Sequence, residues 1–80
     1  MHINFGISKG PVEIGENCFI GIRVSILQGV KLGRGCVVAS HSVVTKSFPD
    51  FTMIAGIPAK AIKKFNFQTN NWESIPNEEE

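Results

Sequence analysis

The 80-residue sequence predicts an all-β chain wound as a parallel β-helix. Two observations lead to this prediction. An aliphatic residue recurs at every sixth position without a break, and the position two residues earlier is small and apolar in all but one hexad. The aliphatic positions are Ile14, Ile20, Ile26, Leu32, Val38 and Val44, and the earlier ones are Val12, Cys18, Val24, Val30, Cys36 and Ser42. Side chains two residues apart on a strand point to the same face, so each hexad supplies a short strand with two inward side chains.

Three such strands close one coil of about 18 residues, and residues 18 apart then stack about 4.8 Å from one another. We therefore expect Ile14 to lie under Leu32. An amphipathic helix repeats its apolar face at three and four residues and does not fit, and an antiparallel sandwich leaves the unbroken hexads unexplained. Gly15, Gly21 and Gly33 follow aliphatic positions, where we expect tight turns with unusual backbone angles.

Residues 12–47 form two coils, and residues 1–11 form a lead-in that covers or continues the edge of the first. Solenoid repeats bury their faces only against neighbours, and about three or more are needed for stability. We therefore expect self-association, a longer parent protein, or both. Cys18 and Cys36 differ by 18 and should stack; packing as small buried hydrophobes is favoured over a disulfide.

Residues 48–65 leave the six-residue register and form a C-terminal cap, in which residues 59–65 suit either a short helix or a final strand. Residues 66–80 form a polar, acidic tail. Its Phe67 and Trp72 are available to dock on the body or on a neighbour.

The net charge of +1 hides an asymmetry along the chain. Residues 1–69 hold all eight basic residues and three acidic ones, whereas residues 70–80 hold four glutamates and no base. This balance argues against a nucleic-acid partner. No apolar run approaches the roughly 20 residues of a membrane span, and no secretory signal opens the chain, so we expect a cytoplasmic protein. The two histidines have no metal-ligand spacing with the cysteines, and we expect no metal.

Residues 10–65 resemble the C-terminal half of the hexapeptide-repeat acetyltransferases, most closely the maltose, galactoside and capsular polysaccharide O-acetyltransferases. The motifs that carry this resemblance are Phe19-Ile20-Gly21, where the family usually has Trp-Ile-Gly, Ser42-Val43-Val44-Thr45-Lys46 and Gly56-Ile57-Pro58-Ala59-Lys60. The resemblance implies a left-handed parallel β-helix, against the usual right-handed crossover rule. It also implies a homotrimer that holds acetyl-CoA in a groove between adjacent subunits.

The resemblance carries cofactor contacts to six positions, namely Ile22, Ser40, Thr45, Lys46, Lys60 and Lys63. The backbone of the first two would line the pantetheine arm. Thr45 and Lys46 would meet the CoA end, as would Lys60 and Lys63 near the nucleotide phosphates. Lysine ammonium groups are good partners for phosphates, although three nearby lysines also suit a solvated surface. Phe19 would replace the tryptophan that walls the acceptor pocket, or would be an exposed aromatic at a subunit contact.

Acetyl transfer requires a general base, which in the family is a histidine upstream of this region. His2 is the one histidine in that position here, and it is either the catalytic base or an ordinary terminal residue. His41 occupies a turn position that is not catalytic in the family. The resemblance thus implies an acetyl-CoA-dependent O-acetyltransferase, or a fragment of one, acting on a sugar or polysaccharide hydroxyl. The alternatives are a non-catalytic trimerising module that binds CoA at most, and a scaffold protein unrelated to acetyl transfer.

Overall fold

The computed structural model describes residues 10–75, and these residues form nine β-strands and no helix. The strands are β1 Glu13–Ile14, β2 Phe19–Ile20, β3 Ser25–Ile26, β4 Lys31–Leu32, β5 Val37–Val38, β6 Val43–Val44, β7 Thr52–Gly56, β8 Ala59–Asn66 and β9 Asn71–Ser74. The first six come from the six hexads, one strand each. His2 and most of the predicted lead-in lie outside the described residues.

Two coils stack in the predicted register. β1 pairs with β4, β2 with β5 and β3 with β6, all in parallel, which places Ile14 opposite Leu32. These pairs form three flat sides, called here the first, second and third sides in chain order. The predicted fold class, an all-β left-handed parallel β-helix, is confirmed.

A third coil begins after β6 but is two residues shorter than the others. Phe48 bridges to Leu32 on the first side, and β7 pairs in parallel with β5, with Ile54 opposite Val38. In each of these two pairs the residues are 16 positions apart in the sequence, whereas paired residues of the first two coils are 18 apart. The register that the hexads lose at residue 47 is therefore recovered by a shortened corner, and Phe48 and Ile54 extend the buried ladders.

The cap is a β-meander, so the possible helix at residues 59–65 is wrong and the alternative, a final strand, is correct. β8 folds back antiparallel to β7, and β9 pairs antiparallel with β8. Helix propensity is a weak preference that tertiary context overrides. Here the open edge of β7 supplies a row of backbone hydrogen bonds that a helix in this position would leave unmade.

The segment assigned to a polar tail begins with the last residue of β8 and contains β9. Aromatic contacts hold it to the body. The Phe67 ring lies 4.7 Å from the centroids of both Phe51 and Phe65, and Trp72 lies 5.4 Å from Phe65, all with steeply inclined rings. Edge-to-face pairs at these distances stabilise a fold beyond their buried area. The sequence left open whether Phe67 and Trp72 dock on the body or on a neighbour. In this structure both pack on the body of their own chain.

Both cysteines are free and lie in the interior, which confirms the packing interpretation. The Cys18 thiol donates to the Gly33 carbonyl at 3.1 Å, and the Cys36 thiol donates to the Pro49 carbonyl at 3.2 Å. Burial raises the pKa of the Cys36 thiol, because removal from water disfavours the thiolate.

A pH dependence of stability follows from this raised pKa. The folded chain holds the Cys36 proton more tightly than the unfolded chain, so the stabilisation is present below the ordinary thiol pKa of 9.0 and is lost as the pH rises past it. Cys36→Val, which copies Val24 and Val30 at equivalent hexad positions, should remove this loss. We expect the wild type to lose up to about 1.4 kcal/mol per pH unit relative to the variant, measured by urea unfolding between pH 7 and 10. Parallel pH profiles for the two proteins would contradict the assignment.

The glycines that follow the aliphatic positions serve a different purpose from the one predicted. Positive φ angles occur two residues later in the hexad, at Asn17 (61°), Arg23 (58°) and His41 (66°), and not at the glycines Gly15, Gly21 and Gly33. Those glycines face the backbone of the next coil. A Cβ atom at Gly15 would lie 2.7 Å from the Arg34 nitrogen, and one at Gly21 would lie 2.6 Å from the Ser40 nitrogen. The absent side chain therefore permits close stacking of coils.

Gly15→Ala should destabilise the fold, whereas Asn17→Gly should not. The added methyl group meets backbone atoms that cannot move aside, and we expect a loss of at least about 1 kcal/mol. Glycine at position 17 instead suits the left-handed backbone found there. Thermal unfolding at one fixed protein concentration compares the two variants. A larger loss for Asn17→Gly than for Gly15→Ala would restore the original turn interpretation.

Candidate functional site

Two of the predicted contacts stack at one corner of the coil, called here the second corner, which consists of Ile22–Arg23 and Ser40–His41 between the second and third sides. The Ile22 N–H donates to the Ser40 hydroxyl oxygen at 3.2 Å, and the His41 N–H donates to the Ile22 carbonyl at 2.9 Å. The Ile22 side chain is 68% exposed. The two predicted pantetheine-lining residues are thus brought together on successive coils.

Ile57 continues this corner into the third coil, and the sequence analysis did not single it out. Ile54 pairs with Val38. Ile57, three residues after Ile54, therefore lies level with His41, three residues after Val38. The Gly56 N–H also donates to the Ser42 hydroxyl at 3.3 Å, which ties this turn to the corner below. Ile57 is 73% exposed. The sequence contained a signal for this residue, since Ile57 lies within the Gly56–Lys60 motif on which the resemblance rests.

A β-bulge brings Lys60 and Lys63 to the same face of the second side. Residues three apart on a regular strand point to opposite faces. Here Lys63 pairs with Met53 and Lys60 pairs with Ala55, and the register shifts between them, which leaves Ile62 as the extra residue. Met53 and Ala55 are two apart and share a face, so their lysine partners do too. This arrangement was not readable from the sequence.

Phe19 lies on that same outer face. It pairs with Val37, Val37 pairs with Met53, and Met53 pairs with Lys63, so one row of side chains crosses four strands. Three strand spacings separate Phe19 from Lys63, which corresponds to about 14 Å. The Phe19 side chain is 66% exposed, as its outward position requires.

Lys64 differs from the other two lysines. It pairs with Thr52 and Glu73, and its Nζ donates to the Asp50 carbonyl at 3.1 Å. Thr52 is buried, so Lys64 starts from the side of the strand that carries the buried residues, but its own side chain is exposed, whereas Lys63 is half-buried. The cluster of three lysines in the sequence therefore separates into an outward pair and one lysine that supports the cap.

Thr45 and Lys46 lie at a different corner, between the third and first sides. β6 ends at Val44, and the chain reaches the first side at Phe48. The Lys46 Nζ lies 5.7 Å from the centroid of the Phe48 ring. Thr45 follows Ser40 by five positions along the third side, which corresponds to at most about 17 Å of extended chain. Within one chain, these two residues are not part of the surface formed by the second corner and the outward lysines.

The described part of the chain offers few residues that could act as a general base or bind a metal ion. His2 lies outside it, and His41 is the histidine within it. His41 is exposed and occupies a corner with positive φ, as expected of a turn residue. Residues 10–75 contain no group of three or more His, Cys, Asp or Glu side chains that could hold a metal ion. Within the same residues, no helix is long and apolar enough to cross a membrane.

An open cleft of about 340 Å³ lies on the β8–β9 hairpin. Its lining includes Phe65, Phe67 and Glu73, and none of the predicted site residues. The candidate site is instead an exposed surface: the second corner with Ile57, and beside it the outer face that bears Phe19, Lys60 and Lys63.

The short strands, the 18-residue coils and the exposed corner define a left-handed β-helix of the hexapeptide-repeat class. Residues 11–46 match the family described as bacterial transferase hexapeptide, six repeats. That stretch, 36 of the 80 residues, is thus similar to the hexapeptide-repeat transferases.

Individual relatives agree with this assignment. The chain is 45% identical over 69 residues to a Mycobacterium tuberculosis protein described as "Probable acetyltransferase", covering 86% of this chain and 22% of the relative. It is similar to the crystal structure of a maltose O-acetyltransferase from Clostridium difficile 630, with a TM-score of 0.67, 44% identity, and coverage of 69% of this chain and 29% of that one. A hexapeptide-repeat acetyltransferase from Vibrio cholerae, complexed with acetyl coenzyme A, matches with a TM-score of 0.69, 37% identity, and coverage of 71% and 31%. The chain spans less than a third of each.

Proposed function

We propose that this chain forms the CoA-binding part of an acetyl-CoA-dependent O-acetyltransferase that acts on a sugar or polysaccharide hydroxyl. The observation that carries the proposal is the continuity of one surface. The exposed second corner leads directly to the face on which the bulge sets Lys60 and Lys63 side by side. The relative from Vibrio cholerae that was solved with acetyl coenzyme A, and the maltose O-acetyltransferase, support the donor and the acceptor class.

The chemistry of CoA suits the two parts of this surface. The pantetheine arm is slender and carries amides and methylene groups, which match an apolar corner with accessible backbone groups at Ile22 and Ser40. The nucleotide end is strongly anionic. Lys60 and Lys63 make no ion pair with a carboxylate of residues 10–75, so both ammonium groups are free to meet phosphates. Lys60 pairs with Ala55, one residue before the turn at Gly56 and Ile57, which makes the two parts adjacent.

The position of Thr45 and Lys46 supports a homotrimer as part of this proposal. In this proposal a neighbouring copy presents both residues to the CoA bound at the second corner, since in their own chain they lie at another corner, up to about 17 Å along the third side from Ser40. A groove between two copies provides this contact. In a three-fold arrangement, each copy contributes its second corner to one groove and its Lys46 to the next groove.

In this proposal, the acceptor hydroxyl attacks the thioester carbonyl of acetyl-CoA. The C–O bond forms, the C–S bond breaks, a base removes the hydroxyl proton, and the thiolate of CoA leaves and is protonated. His2 is our candidate for the base, since imidazole titrates near neutral pH. Phe19 is our candidate for a wall of the acceptor pocket. A cytoplasmic location accompanies the proposal, because that compartment supplies acetyl-CoA.

Calorimetric titration of acetyl-CoA into the folded, oligomeric chain tests the proposal. We expect saturable binding, and a loss of about three- to tenfold in affinity for Lys46→Ala, since a charge-assisted contact to phosphate is removed. Lys64→Ala is the matched control, because the Lys64 ammonium group is bound to the Asp50 carbonyl and lies on the opposite face of β8 from Lys60 and Lys63. No binding by a folded oligomer would refute the proposal and favour a scaffold protein.

A release assay for the CoA thiol, with sugar acceptors, separates a catalytic chain from the second candidate, a trimerising module that binds CoA without turnover. This alternative is kept because the chain spans less than a third of the relatives described above. Thiol release that is lost in His2→Ala supports catalysis with His2 as base. Release that is unchanged in His2→Ala removes that residue from the mechanism.

A further inference from the structure

Cys18 and Cys36 are stacked on successive coils of the second side. Each cysteine directly precedes its strand, and the residues that follow them, Phe19 and Val37, are Cα partners. The Phe19 N–H donates to the Cys36 carbonyl at 2.9 Å, which fixes the two backbones at this level. Stacked Cα atoms lie one strand spacing apart, about 4.8 Å, and a disulfide bond requires about 4.4–6.8 Å. The backbone therefore holds this pair at a separation that a disulfide bond can span.

The two thiols also meet in the interior. Cys18 packs against the core cluster that contains Cys36. Its thiol donates to the carbonyl of Gly33, which lies on the second coil three residues before Cys36, so the Cys18 sulfur is directed toward that coil. Burial is the main cause of the raised pKa of the Cys36 thiol, and a hydrogen bond with the Cys18 thiol also raises it. Sulfurs in hydrogen-bonding contact are close enough for side-chain rotation to complete a bond between them.

The two thiols differ in their exposure to solvent. Cys36 is fully buried, whereas Cys18 is half-buried. Within residues 10–75, β2 is an edge strand of its sheet and pairs with β5 alone. Susceptibility of a thiol to oxidation follows its exposure. A small oxidant therefore meets Cys18 first, and Cys36 is the thiol positioned to react with the oxidised sulfur.

We propose that Cys18 and Cys36 form a reversible disulfide bond when the chain meets hydrogen peroxide, and that this bond locks the first coil to the second. The Cys18 sulfur attacks the peroxide: an S–O bond forms, the O–O bond breaks, and Cys18 becomes a sulfenic acid with release of water. The Cys36 sulfur then attacks the Cys18 sulfur. The S–S bond forms, the S–O bond breaks, and a second water leaves with the Cys36 proton. Two thiols are thereby oxidised and one peroxide is reduced.

The bond acts as a redox-dependent brace of the β-helix. A crosslink between residues 18 and 36 closes a loop that is one coil long, which restricts the unfolded chain and stabilises the folded chain relative to it. The crosslink also lies next to Phe19, on the strand that leads to the second corner. It therefore fixes the first coil beside the candidate site under oxidising conditions. The inference concerns the coil itself and does not rest on the proposed function.

Peptide mapping of the full chain after treatment with hydrogen peroxide tests for the bond, with free thiols blocked before digestion. Trypsin cleaves after Arg23 and Arg34, so the two cysteines fall in different peptides. We expect these peptides to be linked until dithiothreitol is added, in chains that migrate as monomers on a non-reducing denaturing gel. Oxidised cysteines without a link, or links between different chains only, would overturn the proposal. In Cys36→Val, the Cys18 sulfenic acid should accumulate and react with dimedone; no reaction would overturn the order of the two steps.

Urea unfolding of the oxidised chain tests the brace. We expect its midpoint to exceed that of the reduced chain by about 1 M or more, and to return after dithiothreitol. Peroxide also oxidises methionine, and Cys36→Val, which keeps both methionines, controls for that effect because its midpoint should not rise. An equal rise in the variant, or no rise in a linked wild type, would overturn the brace. Reversal by dithiothreitol decides the same question within the wild type, since the reagent reduces disulfides and leaves methionine sulfoxide in place.

Discussion

Replacement of Lys60 and Lys63 together by alanine is expected to weaken CoA binding about 10- to 100-fold. Each ammonium group offers a charge-assisted hydrogen bond to a phosphate, worth about 1.5–3 kcal/mol when well formed and less when exposed to water. The bulge at Ile62 places both groups on one face, so a single anion cluster engages them together. Calorimetry over a range of salt concentrations measures the loss, and the salt dependence of binding should become shallower in the variant.

Two controls define the result. Lys64→Ala should change CoA affinity little, because Lys64 lies on the opposite face of β8 from Lys60 and Lys63 and its ammonium group donates to the Asp50 carbonyl. Arginine at positions 60 and 63 should retain most of the binding, since it keeps the charge and donates to phosphate. Full affinity in the double alanine variant would remove the lysine pair from the site and leave Lys46 as the remaining phosphate contact proposed here.

Ile54→Ala is expected to lower the free energy of unfolding by about 2–5 kcal/mol, which is a large part of the stability of a domain of this size. Ile54 is fully buried and completes the ladder above Val38 on the second side. Its truncation leaves a cavity where the third coil closes the core. Urea unfolding at fixed protein concentration measures the effect.

Ile14→Ala provides the matched comparison. Ile14 occupies the same hexad position as Leu32, but it is 37% exposed, because within residues 10–75 β1 has a paired strand on one edge only. We expect it to lose less than half as much stability as Ile54→Ala. Equal losses would mean that the edge of the first coil is covered in solution, and would point to the lead-in or to another copy as its cover.

The periodic part of the fold was predictable because its determinants are local. Every hexad carries its own strand and its own corner, and the 18-residue pairing of Ile14 with Leu32 follows from counting alone. The same counting ends at residue 47. The shortened third coil, in which Ile54 stacks on Val38 at a separation of 16, depends on how the chain from Ser47 onward meets the completed edge of the second coil.

The candidate site likewise has one part that the sequence predicts and another part that depends on the tertiary structure. Stacking of Ile22 on Ser40 follows from the repeat, and the structure has the two residues in hydrogen-bonding contact. The shared face of Lys60 and Lys63 depends on the bulge, which sequence spacing alone contradicts. The separation of Lys46 from that face depends on the corner that it occupies, between β6 and the bridge at Phe48. His2 lies outside the described residues and stays a prediction.

The sequence by itself determined the coil, its period and its inward side chains, because alternation on a short strand and a repeating corner are properties of neighbouring residues. Only the tertiary structure decided three other features: that Gly15 and Gly21 serve close stacking, that residues 59–65 form a strand, and that Lys60 and Lys63 lie on one face. Each of these depends on a backbone edge or atom from a distant part of the chain. Whether a hydrogen bond or a clash forms at such a position depends on which distant residues the fold brings close to it. The local sequence does not contain this information.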